Sequence, residues 1–304
     1  MMSSIAGILP IVHTPFLDDD SIDVKSLQRE IDWAFDVGAD GLCTGMVSEL
    51  LRLTVDERLQ LTEQIAECRR DRGVFIVGVG AESTKQAVAF TSHAEQHGAS
   101  GVMAIPPIST SLADEQLHSY FQALVKATAL PVIVQDASGY VGQRISLDIC
   151  DRLLDEFGPE RILFKPEASP LGPNLSILRD RTNGQARIFE GSGGISLIDS
   201  FRRGIEGTMP GMEFLQGIVA IWNALKAGDD SRAYRVYFPL CALVSIQLQA
   251  GLDGFLAIEK YVLKKRGLFT TDRRRGPLAW KLDKETRQEV DRLLELLENE
   301  FRMN

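Results

Sequence analysis

A (β/α)8 barrel followed by a helical extension is the fold class this sequence predicts, and three observations carry it. Short apolar, β-branched runs recur eight times along the first two thirds of the 304-residue chain. Segments with helical spacing separate them, and one αβ turn is reused at Gly38-Ala39-Asp40-Gly41, Gly98-Ala99-Ser100-Gly101 and Gly204-Ile205-Glu206-Gly207. Runs buried on both faces and alternating with helices imply a parallel sheet. Eight such units in about 210 residues fit a closed barrel. A doubly wound open sheet is the alternative, but no glycine fingerprint follows the first run.

The elements follow in order. The first run is GILPIVHTP (7 to 15), and Val24, Leu27, Ile31 and Ala34 then mark one helical face. After GLCTG (41 to 45), Thr54-Val-Asp-Glu57 reads as a capping box that opens a helix. VFIVGVG (74 to 80) and GVMAIPP (101 to 107) come next, the latter followed by the helical stripe Leu117, Phe121, Leu124. PVIVQD (131 to 136) precedes a helix with Ser146 at its N-cap, which leads into ILFKPE (162 to 167). ARIFEG (186 to 191) and GTMPG (207 to 211) complete the eight. The first glycine of each repeated turn suits the left-handed position past a helix end. Residues 1–211 are thus expected to form the barrel. Residues 212–304 read as a helical extension, with helices at Glu213 to Ala227, Ser231 to Gln249, Phe255 to Lys265 and Lys284 to Phe301, packed on the barrel or on a neighbouring subunit.

Composition excludes several function classes. With 44% hydrophobic and 25% charged residues the chain has the balance of a soluble globular enzyme. Its net charge of −9 repels nucleic acid and anionic membranes. Arg273-Arg274-Arg275 is locally basic and is expected to be a solvated loop. Cys43, Cys68, Cys150 and Cys241 lack the spacing of a zinc site or a disulfide framework, so reduced, mostly buried thiols in a cytoplasmic protein are expected. No signal-peptide pattern opens the chain, and no apolar run reaches the ~18 residues of a membrane span. His13 is expected to be a hydrogen-bonded core histidine, and His93, His97 and His118 surface residues of helices. No His, Asp and Glu spacing points to a metal, and no cofactor is implied.

Chemistry concentrates on Lys165, which ends the apolar run Ile162-Leu163-Phe164 and is followed by Pro166. Strand alternation puts Leu163, Lys165 and Glu167 on one face, and if Phe164 faces the helices Lys165 enters the barrel mouth. Pro166 can end a strand without breaking its ladder. Burial penalises an ammonium ion, and depressing an ordinary lysine from ~10.4 to ~7 costs about 4 to 5 kcal/mol. A neutral amine in return adds to a ketone and forms an iminium ion that activates the neighbouring carbon. The competing reading is an ordinary barrel salt bridge between Lys165 and Glu167 or Glu190.

These residues resemble the dihydrodipicolinate synthase and N-acetylneuraminate lyase family of class I aldolases. The resemblance spans nearly the whole chain. It includes PIVHTPF, the loop Gly45-Met46-Val47-Ser48-Glu49 followed by LTVDER, the Gly78-Val79-Gly80 and Pro106-Pro107 positions, the Lys165 strand and the helical extension. It implies that Lys165 forms a Schiff base with pyruvate or another 2-keto acid. Several positions depart from the family pattern. Met46 and Val47 stand where hydroxyl residues usually help hold the substrate carboxylate, leaving Ser48 and loop amides for that task. Gln135 replaces the proton-shuttling tyrosine, and an amide is no general acid near neutral pH. Pro107 and Ile108 replace paired tyrosines, and Tyr140 stands at the position of the arginine that grips the second substrate of dihydrodipicolinate synthases.

The departures resemble a side branch that includes 2-keto-3-deoxy-arabonate dehydratases, through Phe164-Lys165-Pro166-Glu167 and Gly207-Thr208-Met209. That resemblance implies a lyase acting on pyruvate or a sugar-derived 2-keto-3-deoxy acid. Lys165, Gln135 and Glu167 are then the catalytic candidates, Glu167 as proton carrier or as partner of the lysine. Ser48, Met46, Val47, Gly191, Thr208 and Met209 are the substrate-binding ones. Gly191-Ser192-Gly193-Gly194 lies where barrels often bind phosphate, but the resemblance makes Gly191 pocket wall. Dihydrodipicolinate synthase or N-acetylneuraminate lyase activity proper, or a keto-acid-binding barrel without turnover, are the alternatives. A homotetramer or homodimer is what the resemblance implies for assembly.

Overall fold

The computed structural model describes residues 4–302. Eight strands alternate with helices: β1 (Gly7–Ile8), α1 (Val24–Val37), β2 (Gly41–Cys43), α2 (Val55–Arg69), β3 (Val74–Gly78), α3 (Thr84–Gln96), β4 (Gly101–Ala104), α4 (Asp114–Ala127), β5 (Val132–Asp136), α5 (Leu147–Phe157), β6 (Ile162–Pro166), α6 (Leu171–Arg181), β7 (Phe189–Glu190), α7 (Leu197–Arg202), β8 (Gly207–Thr208) and α8 (Leu215–Lys226). Strands β2 through β6 pair in sequence order, all parallel, and β8 lies between β7 and β1. Bridges between Ile11 and Cys43 and between Phe164 and Ile188 join the two groups into a closed barrel.

Regular strands are shorter than the apolar runs, for local reasons. Pro10 has no amide to give, so past Ile8 the first run continues as extended chain. It is still tied to both neighbours through Leu9 N to Thr208 O (2.9 Å) and Val12 N to Cys43 O (2.8 Å). Local signals in the sequence otherwise act as expected. The Thr54 hydroxyl accepts from Glu57 N while the Glu57 carboxylate accepts from Thr54 N, and Ser146 caps α5. Gly38, Gly98 and Gly204 have φ of 113°, 73° and 85°, so a side chain at these turns would be strained.

Two apolar layers result. Leu9, Ile11, Cys43, Ile76, Met103, Ile133, Leu163, Phe189 and Met209 fill the barrel interior. Phe164, Val134 and Ile162 belong instead to the larger layer between strands and helices. Phe164 therefore faces outward, and its neighbour Lys165 turns into the barrel.

Helix α8 packs against both α7 and α1 and stands where the eighth barrel helix belongs. We therefore place the boundary of the extension after α8 rather than at residue 212. Helices α9 (Asp230–Leu248), α10 (Gly251–Lys265) and α11 (Lys284–Arg302) follow, α9 against α8 and α11, and α10 against α9 and the 3-10 turn Met46–Ser48. None of the described helices is long and apolar enough to cross a membrane.

Two surface expectations need correction. The Arg273-Arg274-Arg275 loop is not simply solvated: Arg275 forms a two-pronged pair with Glu57 (2.7 and 2.9 Å), and Arg274 is half-buried with its guanidinium near Asp253. A guanidinium fork matched to a carboxylate holds a loop that charge alone would leave in water. His93, His97 and His118 are half-buried, beside Glu63 in the first two cases and Glu156 in the third. Cys43, Cys68 and Cys150 are buried free thiols, whereas Cys241 is half-buried.

Candidate active site

Strand register builds the site. Gln135 on β5 lies opposite Lys165 on β6, so both side chains enter the barrel mouth at the C-terminal end of the sheet. Glu167, two residues on, shares their face. Lys165 Nζ lies 3.4 Å from Glu167 Oε2, and Gln135 Nε2 donates to the same oxygen at 2.5 Å. Lys165 and Gln135 are 4% and 3% exposed, so water screens this trio weakly. Burial raises the Glu167 pKa above the usual carboxylate range, opposed by the Lys165 charge and the Gln135 hydrogen bond.

Gly191 is the wall against this trio. A Cβ there would stand 2.3 Å from Lys165 Cε and 2.4 Å from Glu167 Oε1, so no larger residue fits while the lysine keeps its place. Glu190, the other partner considered for Lys165, is occupied elsewhere, accepting from Ser192 N (2.6 Å) and Thr208 Oγ1 (2.7 Å).

A cavity opens to solvent over Lys165. Met46 and Val47 line it from the β2 loop, Gln135 and Tyr140 from β5 and its loop, and Glu167, Gly191 and Met209 complete the barrel side. Helix α10 supplies Leu252, Phe255 and Glu259. Tyr140 and Phe255 meet edge to face, with ring centroids 5.9 Å apart, and close one side of the mouth. The Tyr140 hydroxyl is kept protonated, first by burial and then by the nearby carboxylates of Glu167, Glu190 and Glu259.

Two expected substrate contacts are corrected. Ser48 is fully buried and does not line the cavity. Its hydroxyl donates to Val12 O and accepts from Gly45 N at 3.1 Å, which spends it on shaping the β2 loop. Thr208 likewise turns away, its hydroxyl committed to Glu190. Hydroxyl type and position were legible, but which lone pairs the fold itself consumes was not.

His13 is the expected core histidine, but its partners are unusual. Nδ1 lies 2.9 Å from Glu30 Oε1 and Nε2 lies 3.0 Å from Glu259 Oε2, joining α1, the first strand run and α10. Burial alone lowers the imidazole pKa, but Glu259 and Glu30 outweigh it and hold it up at about 10. Glu213 is close by, and the ligand atoms of His13, Glu213 and Glu259 lie within 4.8 Å of one another, a grouping that no sequence spacing displays. Glu63, His93 and His97 make a second such grouping on the half-buried helix faces.

Glu259 and Lys260 are the site-region residues that the sequence reading missed. Lys260 is fully buried, pairs with Glu49 of the β2 loop, and also donates to Thr14 O (2.7 Å) and Arg273 O (2.9 Å). The signal was present: Glu259-Lys260 interrupts an apolar helical stretch, as Lys165 interrupts an apolar strand.

A nearly buried lysine at the C-terminal end of a barrel strand, with a carboxylate and an amide beside it and a cavity above it, defines a lyase of the class I, lysine-dependent type. Comparison with known proteins gives the particular family. Residues 4–297 match the dihydrodipicolinate synthetase family, and the chain belongs to it. It is 30% identical to an L-2-keto-3-deoxyarabonate dehydratase of Azospirillum brasilense over 290 residues, covering 93% of this chain and 92% of the relative. A probable 2-dehydro-3-deoxy-D-pentonate aldolase of Escherichia coli K12 is 31% identical over 153 residues, half of this chain and 51% of that protein. The crystal structure of dihydrodipicolinate synthase from Rhodopseudomonas palustris superposes with a TM-score of 0.86 at 29% identity, over 96% of this chain and 97% of that one.

Proposed function

We propose that the protein dehydrates a sugar-derived 2-keto-3-deoxy acid through an iminium at Lys165. The observation that carries this reading is the Lys165, Glu167 and Gln135 trio, which supplies a nucleophile and a proton carrier where the family's tyrosine is missing. Similarity over nearly its full length to an L-2-keto-3-deoxyarabonate dehydratase supports the choice of substrate class.

The steps balance with one proton carrier. The Lys165 amine adds to the C2 ketone and the adduct loses water to give the iminium. Glu167 takes a proton from C3, leaving an enamine whose electrons expel the C4 hydroxyl. The same carboxyl returns its proton to that leaving group, so water departs and a C3–C4 double bond remains conjugated to the iminium. Hydrolysis frees Lys165 and releases the unsaturated keto acid, which tautomerises to a semialdehyde where C5 bears a hydroxyl. Raising the pKa of Glu167 by burial suits a group that must both take and give a proton. Gln135 holds the carboxylate in place. With Ser48 spent on the loop, amides at Met46 and Val47 are left to hold the substrate carboxylate, and Met209 packs beneath it.

Similarity to the pentonate aldolase favours carbon–carbon cleavage as a second reading. Incubation with a panel of 2-keto-3-deoxy sugar acids separates the two: a semialdehyde without pyruvate supports dehydration, and pyruvate with an aldehyde supports cleavage. A cytoplasmic homodimer or homotetramer belongs to the same proposal, supported by the family and by free thiols that suit a reducing compartment.

A further inference from the structure

We infer that Glu259, carried to the pocket by α10, reads the hydroxyl-bearing end of the substrate, so that the site selects polyhydroxy 2-keto acids with an uncharged distal end and rejects 2-keto diacids. This deepens the proposed function and rests on it.

Glu259 lines the cavity although it is only 1% exposed. Its position is fixed from behind. His13 holds Oε2 at 3.0 Å, and His13 is itself clamped by Glu30, which meets its Nδ1 at 2.9 Å and its backbone N at 3.2 Å. Oε2 is enclosed and, beyond this His13 contact, has no donor among the described residues. The other oxygen, Oε1, lies beside Gly211, where a Cβ would stand 2.9 Å from it and 2.2 Å from Glu213 Oε2.

A carboxylate accepts hydrogen bonds and has no proton to give while ionised. A buried acceptor without a donor is costly, so a ligand hydroxyl arriving there is rewarded. A second carboxylate arriving there meets a like charge in a poorly screened site. Lys165 is the only basic residue among those lining the cavity, and it is consumed in forming the iminium. No lining arginine or second lysine is therefore left to receive a distal carboxylate. Leu252 and Phe255 flank Glu259, and the Tyr140 hydroxyl near them is uncharged and offers a distal carboxylate no cation.

The test compares borohydride trapping at Lys165 by pyruvate, 2-oxopentanoate and 2-oxoglutarate, the last two being a monoacid and a diacid of equal chain length. The wild-type protein is expected to trap 2-oxoglutarate about tenfold more slowly than 2-oxopentanoate. In Glu259→Gln, checked for folding by its melting curve, that ratio is expected to move toward one, while kcat/KM on a 2-keto-3-deoxypentonate falls about tenfold. Equal trapping of the diacid and the monoacid by the wild type overturns the inference, even where the variant does not fold. So does a folded Glu259→Gln protein with an unaltered ratio. Absence of any pyruvate adduct on wild-type Lys165 instead overturns the proposed function, and this inference with it.

Discussion

Lys165 and Lys260 are both lysines with buried amines, and their partners separate their roles. Lys260 donates hydrogen bonds to Glu49, Thr14 O and Arg273 O, which commits its amine to holding the chain. Lys165 has a carboxylate at 3.4 Å, a cavity beside it, and a glycine where any side chain would crowd it. Glu167→Gln is accordingly expected to lower turnover about 10²- to 10⁴-fold while pyruvate still forms its adduct; steady-state kinetics alongside borohydride trapping check this. Loss of adduct and turnover together would make Glu167 a partner of the lysine alone. At this scale the sequence showed Lys165, Gln135, Glu167 and Gly191 because a polar or minimal residue at the end of an apolar strand is conspicuous. It misplaced Ser48 and Thr208 because a hydroxyl's direction depends on neighbours brought from other strands.

Elements set how firmly those residues are held. The turn after β7 presents Gly191 to Lys165, so Gly191→Ala is expected to displace the amine and slow adduct formation about 10²-fold, with little change in melting temperature. Stopped trapping at timed intervals measures it. Helix α10 is tied to the barrel through His13, Glu30, Glu259 and Glu213, and this cluster gives stability a pH dependence. The His13 pKa is held at about 10, so its contribution is present below the ordinary histidine range and is lost as pH rises toward 10. Burial and the Glu259 charge push Glu213 up to about 8, so its contribution is likewise lost between the usual carboxylate range and pH 8. Both act in one direction: the melting temperature is expected to fall from pH 6 to pH 9, and to fall less in Glu213→Gln. The strands, barrel helices and turn glycines were legible because period and caps are local. The contact of α10 with the site was not, since helical spacing says which face is apolar and nothing about what it covers.

On the scale of the whole molecule, the extension completes the pocket that the barrel begins. Glu49 of the β2 loop and Lys260 of α10 form a fully buried ion pair across that junction. Lys260→Met is expected to destabilise the protein by about 3–5 kcal/mol, because Glu49 would be left buried without its cation; denaturant unfolding measures the loss. Glu49→Gln combined with Lys260→Met should recover part of it. Closure of the barrel, its inner and outer apolar layers and the address of Lys165 all followed from the eightfold alternation in the sequence. Pairing of the arginine loop did not, since three adjacent cations look solvated until Glu57 and Asp253 are seen beside two of them.

The central claim is that Lys165 forms the imine. Borohydride reduction in the presence of pyruvate, followed by peptide mass mapping, tests it most directly. The account predicts one adduct, on the peptide carrying Lys165, absent from the Lys165→Ala protein, which also lacks lyase activity. An adduct on another lysine, or a Lys165→Ala protein with full activity, would contradict it.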